Sequence, residues 1–131
     1  MKSIFSIVMS LQLIPVLNAV AQTKTEKEFY KNGTIQSIKH QGFFMGCGVP
    51  VGADSLFNKK GKLTETSEYV HIKDEEGQSC HAITTYMKKS IYKAANTKPD
   101  IQYYKIGYQS ESVSCDEKSY MAAKERYAVY H

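Results

Sequence analysis

Two glycines, Gly33 and Gly61, each close a short polar turn between an aromatic and an aliphatic residue, and nothing else constrains this chain so strongly. The first stretch reads "FYKNGTIQSI" and the second "LFNKKGKLTETSEY". Asn32-Gly33 is a strong hairpin signal, because both residues tolerate the positive φ that a tight type I′ turn requires. Tyr30, Gly33 and Ile35 form the first set, and Phe57, Gly61 and Leu63 the second, with the glycines 28 residues apart. A motif recurring at that period predicts an array of hairpins. After Gly33, Ile35 and Phe43 are apolar among polar Gln36, Ser37 and Lys39, so a half-buried strand is expected, with Ile38 at a bulge. After Gly61, "TETSEYVHIK" reads as a strand with Tyr69 and His71 on one face and Val70 and Ile72 on the other. Asp74 to Gly77 is a polar turn that closes a third, weaker copy.

The beginning of the chain obeys different rules. One early cation, Lys2, precedes a mostly apolar run from Ile4 to Leu17, and Ala19-Val20-Ala21 offers a small-x-small cleavage pattern. That combination predicts a secretory signal peptide over residues 1–21, leaving Gln22 as the new N-terminus. The run is too short to cross a bilayer and is interrupted by Gln12 and Pro15, so no membrane span is expected after cleavage. With no cysteine near the cut, lipid attachment there is excluded. The product belongs in the periplasm or outside the cell. The remaining chain, residues 22–131, has the size of one small domain.

Export gives the three cysteines a meaning. In an oxidising compartment, Cys47, Cys80 and Cys115 predict one disulfide and one free thiol. Cys80 with Cys115 is the favoured pair, since each precedes a predicted helix. Closing that loop would restrain the unfolded chain by roughly 3 to 4 kcal/mol. Cys47, in the Gly-rich stretch from Gly42 to Gly52, remains an alternative partner. That stretch lacks the Lys-Ser/Thr pair and ensuing helix of a phosphate-cradling loop, so it reads as a surface loop between hairpins.

Beyond the hairpins the apolar period changes. Ile83, Tyr86, Met87, Ser90, Ile91 and Ala94 fall on one helical face, predicting a central helix capped by Ser79 and ended by Asn96. "DIQYYKIGYQSESVSC" then alternates and is Tyr-rich, which predicts a strand broken near Gly107. "DEKSYMAAKERYAVY" predicts a C-terminal helix with Tyr120, Met121, Lys124 and Tyr127 on one side. The expected fold is α+β: an antiparallel β-hairpin sheet, its hairpins over about residues 26–73, with one central and one C-terminal helix.

"FYKNGTIQSI" and "GVPVGADSLFNKKGKLTETSEY" resemble the MORN-variant repeats of the YwqK-like antitoxin group. Those units run Tyr-x-x-x-Gly-x-Leu followed by a polar strand, and residues from about 26 to 70 are similar to them. Tyr30, Gly33 and Ile35 take those places in one unit, and Phe57, Gly61 and Leu63 in the other. The family's Gly-x-Trp lead-in is replaced by Ala53-Asp54-Ser55 after Gly52, and the spacing is longer. The resemblance implies a hairpin ribbon in an exported, non-enzymatic protein-contact module.

Composition narrows the partner. The chain carries a formal charge of +4, with both signs mixed and no basic run of the kind that tracks phosphates. No nucleic acid, cofactor or metal is expected, and a protein partner is. Ten tyrosines and no tryptophan suit a contact surface, because tyrosine joins a rigid apolar ring to a polar tip. Tyr30, Phe57, Tyr69, Tyr104 and Tyr108 are the binding candidates, with Tyr103 divided from Tyr104 by strand alternation. The alternative is a small cysteine hydrolase, with Cys80 activated at a helix start and served by His71 from a strand, since the ring of the adjacent His81 does not easily reach the thiol. A structural envelope component is the third reading. His40, His71, His81 and Cys47 form no recognised ligand spacing, and Asp74-Glu75-Glu76 reads as a solvated turn.

Overall fold

The computed structural model describes residues 20–74, 79–94 and 97–129. The predicted signal peptide falls mostly outside them. Strand β1 (Val20–Phe29) runs to the first turn and β2 (Ile35–Phe44) returns. A tight reversal at Met45-Gly46, both at positive φ, leads into β3 (Cys47–Pro50). Then β4 (Ala53–Phe57) and β5 (Leu63–Lys73) form the second hairpin, followed by β6 (Ile83–Ile91), β7 (Asp100–Gly107) and β8 (Ser112–Cys115). The strands form one antiparallel sheet in the order β1-β2-β4-β5-β6-β7-β8, with β3 also paired to β2. Helix α1 (Glu117–Ala128) closes the chain, its N-terminus capped by the Asp116 carboxylate, which accepts from the Ser119 N–H at 2.8 Å.

The two glycine turns share one backbone plan. Tyr30 N–H donates to the Thr34 carbonyl and Gly33 N–H to that of Tyr30, and Asn58 to Lys62 repeats both bonds. Gly33 and Gly61 sit at φ of 88° and 85°. Phe29 pairs with Ile35 as Phe57 pairs with Leu63, and each strand has a register irregularity just before its phenylalanine. The residue matching Phe57 is therefore Phe29, not Tyr30. Tyr30 matches Asn58 and ties the turns together, its hydroxyl donating to the Phe57 carbonyl at 2.7 Å. The turn at Asp74 to Gly77 lies outside the described residues except for Asp74.

Directly paired residues share a face of a sheet, and that rule places the core. Val70 and Ile72 of β5 bury under Tyr120 and Ala123 of α1, with Tyr86, Tyr103 and Tyr127 at the margin. The buried side of the helix is thus Tyr120, Ala123 and Tyr127. Met121, expected beside them, is half exposed. A second cluster gathers Phe44, Cys47, Val49, Val51 and Ile83 at the opposite end from the glycine turns. Cys47, Val49 and Val51 come from the Gly-rich stretch, expected to be a surface loop. Its alternating small and branched residues instead add a short strand to β2 and fill the core.

The expected central helix is a strand. Residues Ile83 to Ile91 pair with β5 in nine consecutive registers and with β7 on the other side. Ile83, Thr85 and Met87 bury on every second position, a period of two that the helical reading overlooked. Tertiary context decides here. Without β6, an eleven-residue β5 would leave a row of backbone groups unpaired. Ser79 still caps, but only a single 3-10 turn over Cys80–Ala82.

The expected Cys80–Cys115 bridge is also corrected. Cys47 is bonded to Cys80, their Cα atoms 5.7 Å apart, and Cys115 is free. The β2–β3 reversal and the β5–β6 connection meet at one end of the sheet. Cys115 instead lies at the end of the outer strand β8, opposite Tyr103.

Candidate functional site

The face of the sheet turned away from α1 carries the best candidate. Tyr69, Met87 and Tyr104 are in register across β5, β6 and β7, so they form one row on that face. The next row is Ser67, Lys89 and Gln102, and Asp54 of β4 lies opposite Ser67. Tyr69, Met87, Ser67, Lys89 and Asp54, together with Lys39 and Glu65, border an open depression of about 410 Å³, and Tyr104 and Gln102 lie beyond it. Lys89 lies 3.9 Å from the Glu65 carboxylate and 5.4 Å from the centre of the Tyr104 ring. The Tyr104 hydroxyl donates to Gln102 at 2.6 Å.

Asp54 organises one side of this face. Strand β2 pairs with β4 at Ser37 and Ile38, then with β3 from Gln41 onward. At the changeover, Asp54 accepts the His40 N–H at 3.0 Å with one oxygen and the Tyr69 hydroxyl at 3.0 Å with the other. The His40 ring closes the junction through Nδ1, which donates to the Ala53 carbonyl at 2.7 Å. Burial, and then the Asp54 carboxylate, raise the Tyr69 pKa well above the ordinary phenol range. Tyr69 is therefore a fixed hydrogen-bond donor at any physiological pH. The chemistry this face offers is recognition: rigid aromatic edges flanked by two lysines and two carboxylates.

Of the five predicted binding residues, Tyr69 and Tyr104 meet on this face. Tyr30 and Phe57 meet each other in the stacked turns, and Tyr108 packs beside the core cluster of the disulfide end, its ring edge-on to His81 at 5.9 Å. Met87, Asp54, Lys39, Glu65 and Lys89 went unrecognised. Alternation within residues 83–91 is the signal that places Met87 and Lys89 on this face.

The Cys80 sulfur is bonded to Cys47, so in this state it is not the free thiolate that the hydrolase alternative requires. His71 serves the core. It is fully buried, its Nε2–H donating to the Pro50 carbonyl at 2.8 Å while Nδ1 accepts from Thr85 Oγ1 at 2.9 Å. The Pro50 carbonyl can only accept, and this fixes the tautomer. Burial depresses the His71 pKa to about 4, so the ring is neutral. Cys115 is partly exposed, its thiol pushed up by burial and by Asp116.

Among the described residues no helix is long and apolar enough to cross a membrane. The disulfide is consistent with an oxidising, exported location. Neither family models nor curated proteins nor solved structures match this chain.

Proposed function

We propose that this chain is an exported, non-enzymatic binding protein of an immunity-like kind, which holds a protein partner on the open face of its sheet. The observation that carries the reading is the pair Tyr69 and Tyr104, set on either side of the buried Met87, with Lys39, Glu65 and Lys89 around them. Aromatic residues are enriched at interface cores, and charged residues at the rim set orientation and on-rate. Strands hold these side chains at fixed spacing, so little ordering entropy is lost on binding. The two congruent turns, 28 residues apart and hydrogen-bonded to one another, support the MORN-variant resemblance as a pair of related units.

The test is capture of partners from envelope extract by the exported protein and by a Tyr104→Ala/Lys89→Ala double variant. One stoichiometric partner that the variant loses supports the reading. Broad, weak retention, equal for both proteins, would overturn it in favour of a structural envelope component.

A further inference from the structure

We propose a second binding site, independent of the sheet face: the glycine-turn end of the molecule takes an acidic polysaccharide. Three segments lie side by side there: residues 30–34, residues 58–62, and residues 92–94 with 97–99. The Asn32 side chain donates to the Lys59 carbonyl at 3.2 Å, and Tyr92 N–H donates to that of Thr64 at 2.8 Å. They bring together Lys31, Lys59, Lys60, Lys62, Lys93 and Lys98, all exposed. The acid in their midst is Asp100, which pairs with Lys93 at 2.7 Å. Six lysines against one acid make a net charge of plus five, while the whole chain carries +4. The rest of the molecule is therefore slightly acidic, and the positive field is concentrated at one end.

Charge alone would fit any polyanion, and the surfaces between the lysines favour a sugar chain. One groove of about 490 Å³ is lined by Phe29, Tyr30, Lys31, Asn32, Gln36 and Lys59. Its neighbour, about 330 Å³, includes Asn58, Lys62, Tyr92, Lys93 and Thr97. Each combines an aromatic ring, amide or hydroxyl groups, and two ammonium groups. Aromatic rings pack against the apolar C–H faces of sugars, amides and hydroxyls bond sugar hydroxyls, and lysine acts as a point charge toward carboxylate. Phe29 is 55% exposed, available as such a platform. Two shallow grooves across stacked turns suit successive residues of one linear acidic chain.

The probe is polygalacturonate, with neutral dextran as its counterpart, titrated against the exported protein at low and high salt. Polygalacturonate is expected to bind and dextran to fail, with binding lost at high salt. The Lys59→Gln/Lys60→Gln/Lys62→Gln variant is expected to bind about tenfold more weakly, at the modest worth of each exposed ion pair. Lys118→Gln/Lys124→Gln, on the helix, should change nothing. Phe29→Ala should weaken binding with an unchanged melting temperature, which a purely electrostatic contact would not do. The proposal is overturned if the turn variant binds normally, if the helix variant loses as much, or if Phe29→Ala binds as wild type does. Equal or tighter binding to phosphatidylglycerol vesicles or duplex DNA would also overturn it, assigning the lysines to phosphate instead.

Discussion

His71 makes the fold sensitive to mild acid, by an amount that follows from its surroundings. The ring is buried between Phe44 and Tyr127, and both nitrogens are committed to Thr85 and Pro50. Desolvation lowers its pKa from 6.5 to about 4, so the native state resists a proton that the unfolded chain accepts freely. Stability from this residue is thus complete above pH 6.5 and is lost as pH falls from 6.5 to about 4. The full loss is on the order of 3 kcal/mol, of which about 2 kcal/mol is gone at pH 5. Native stability of small domains is only about 5 to 15 kcal/mol, so the effect is measurable. Urea unfolding at pH 7.5 and pH 5.0, with the disulfide intact, compares wild type with His71→Gln. The variant is expected to lose roughly 1 to 3 kcal/mol at pH 7.5. Its disadvantage should shrink by about 2 kcal/mol at pH 5.0, since glutamine does not titrate. The reasoning is refuted if the gap between the two proteins is the same at both pH values. An imidazole NMR titration midpoint near 6.5 in the folded protein would refute it equally.

Three further outcomes follow from the same structure. Alkylation of the denatured, unreduced protein should label Cys115 alone, and Cys47→Ser/Cys80→Ser should cost roughly 3 to 4 kcal/mol in urea unfolding through loop entropy. Tyr69→Phe should cost about 1 kcal/mol, and Asp54→Ala about 2 to 3 kcal/mol because two donors lose their acceptor; equal losses from the two would contradict the junction described for Asp54. Gly61→Ala should destabilise by about 1 kcal/mol, as φ is positive there, whereas Gly48→Ala in β3 should be close to neutral by thermal melting.

What the sequence determines by itself is local. Gly33 and Gly61 announce turns because few other residues accept positive φ, whereas Asn32 stays at negative φ, unlike in the expected type I′ turn. Asp116 announces the start of α1 because its side chain substitutes for a missing backbone acceptor. Gly107 likewise marks the break within residues 100–115, although the positive φ of that turn falls on Gln109. Residues 83–91 satisfy both a helical and a strand period, and only the unpaired edges of β5 and β7 decide between them. Disulfide choice depends on which connections meet at one end of the sheet, a property of strand order that residue spacing does not carry. The sites lie at the same boundary. Tyr69 and Tyr104 were visible as tyrosines on strands, but register alone sets Met87 between them. The lysines of three distant turns form no run along the chain, and antiparallel pairing brings them to one end. Backbone conformation is encoded within a few residues, whereas burial, charge density and partner choice arise from neighbours that the fold supplies.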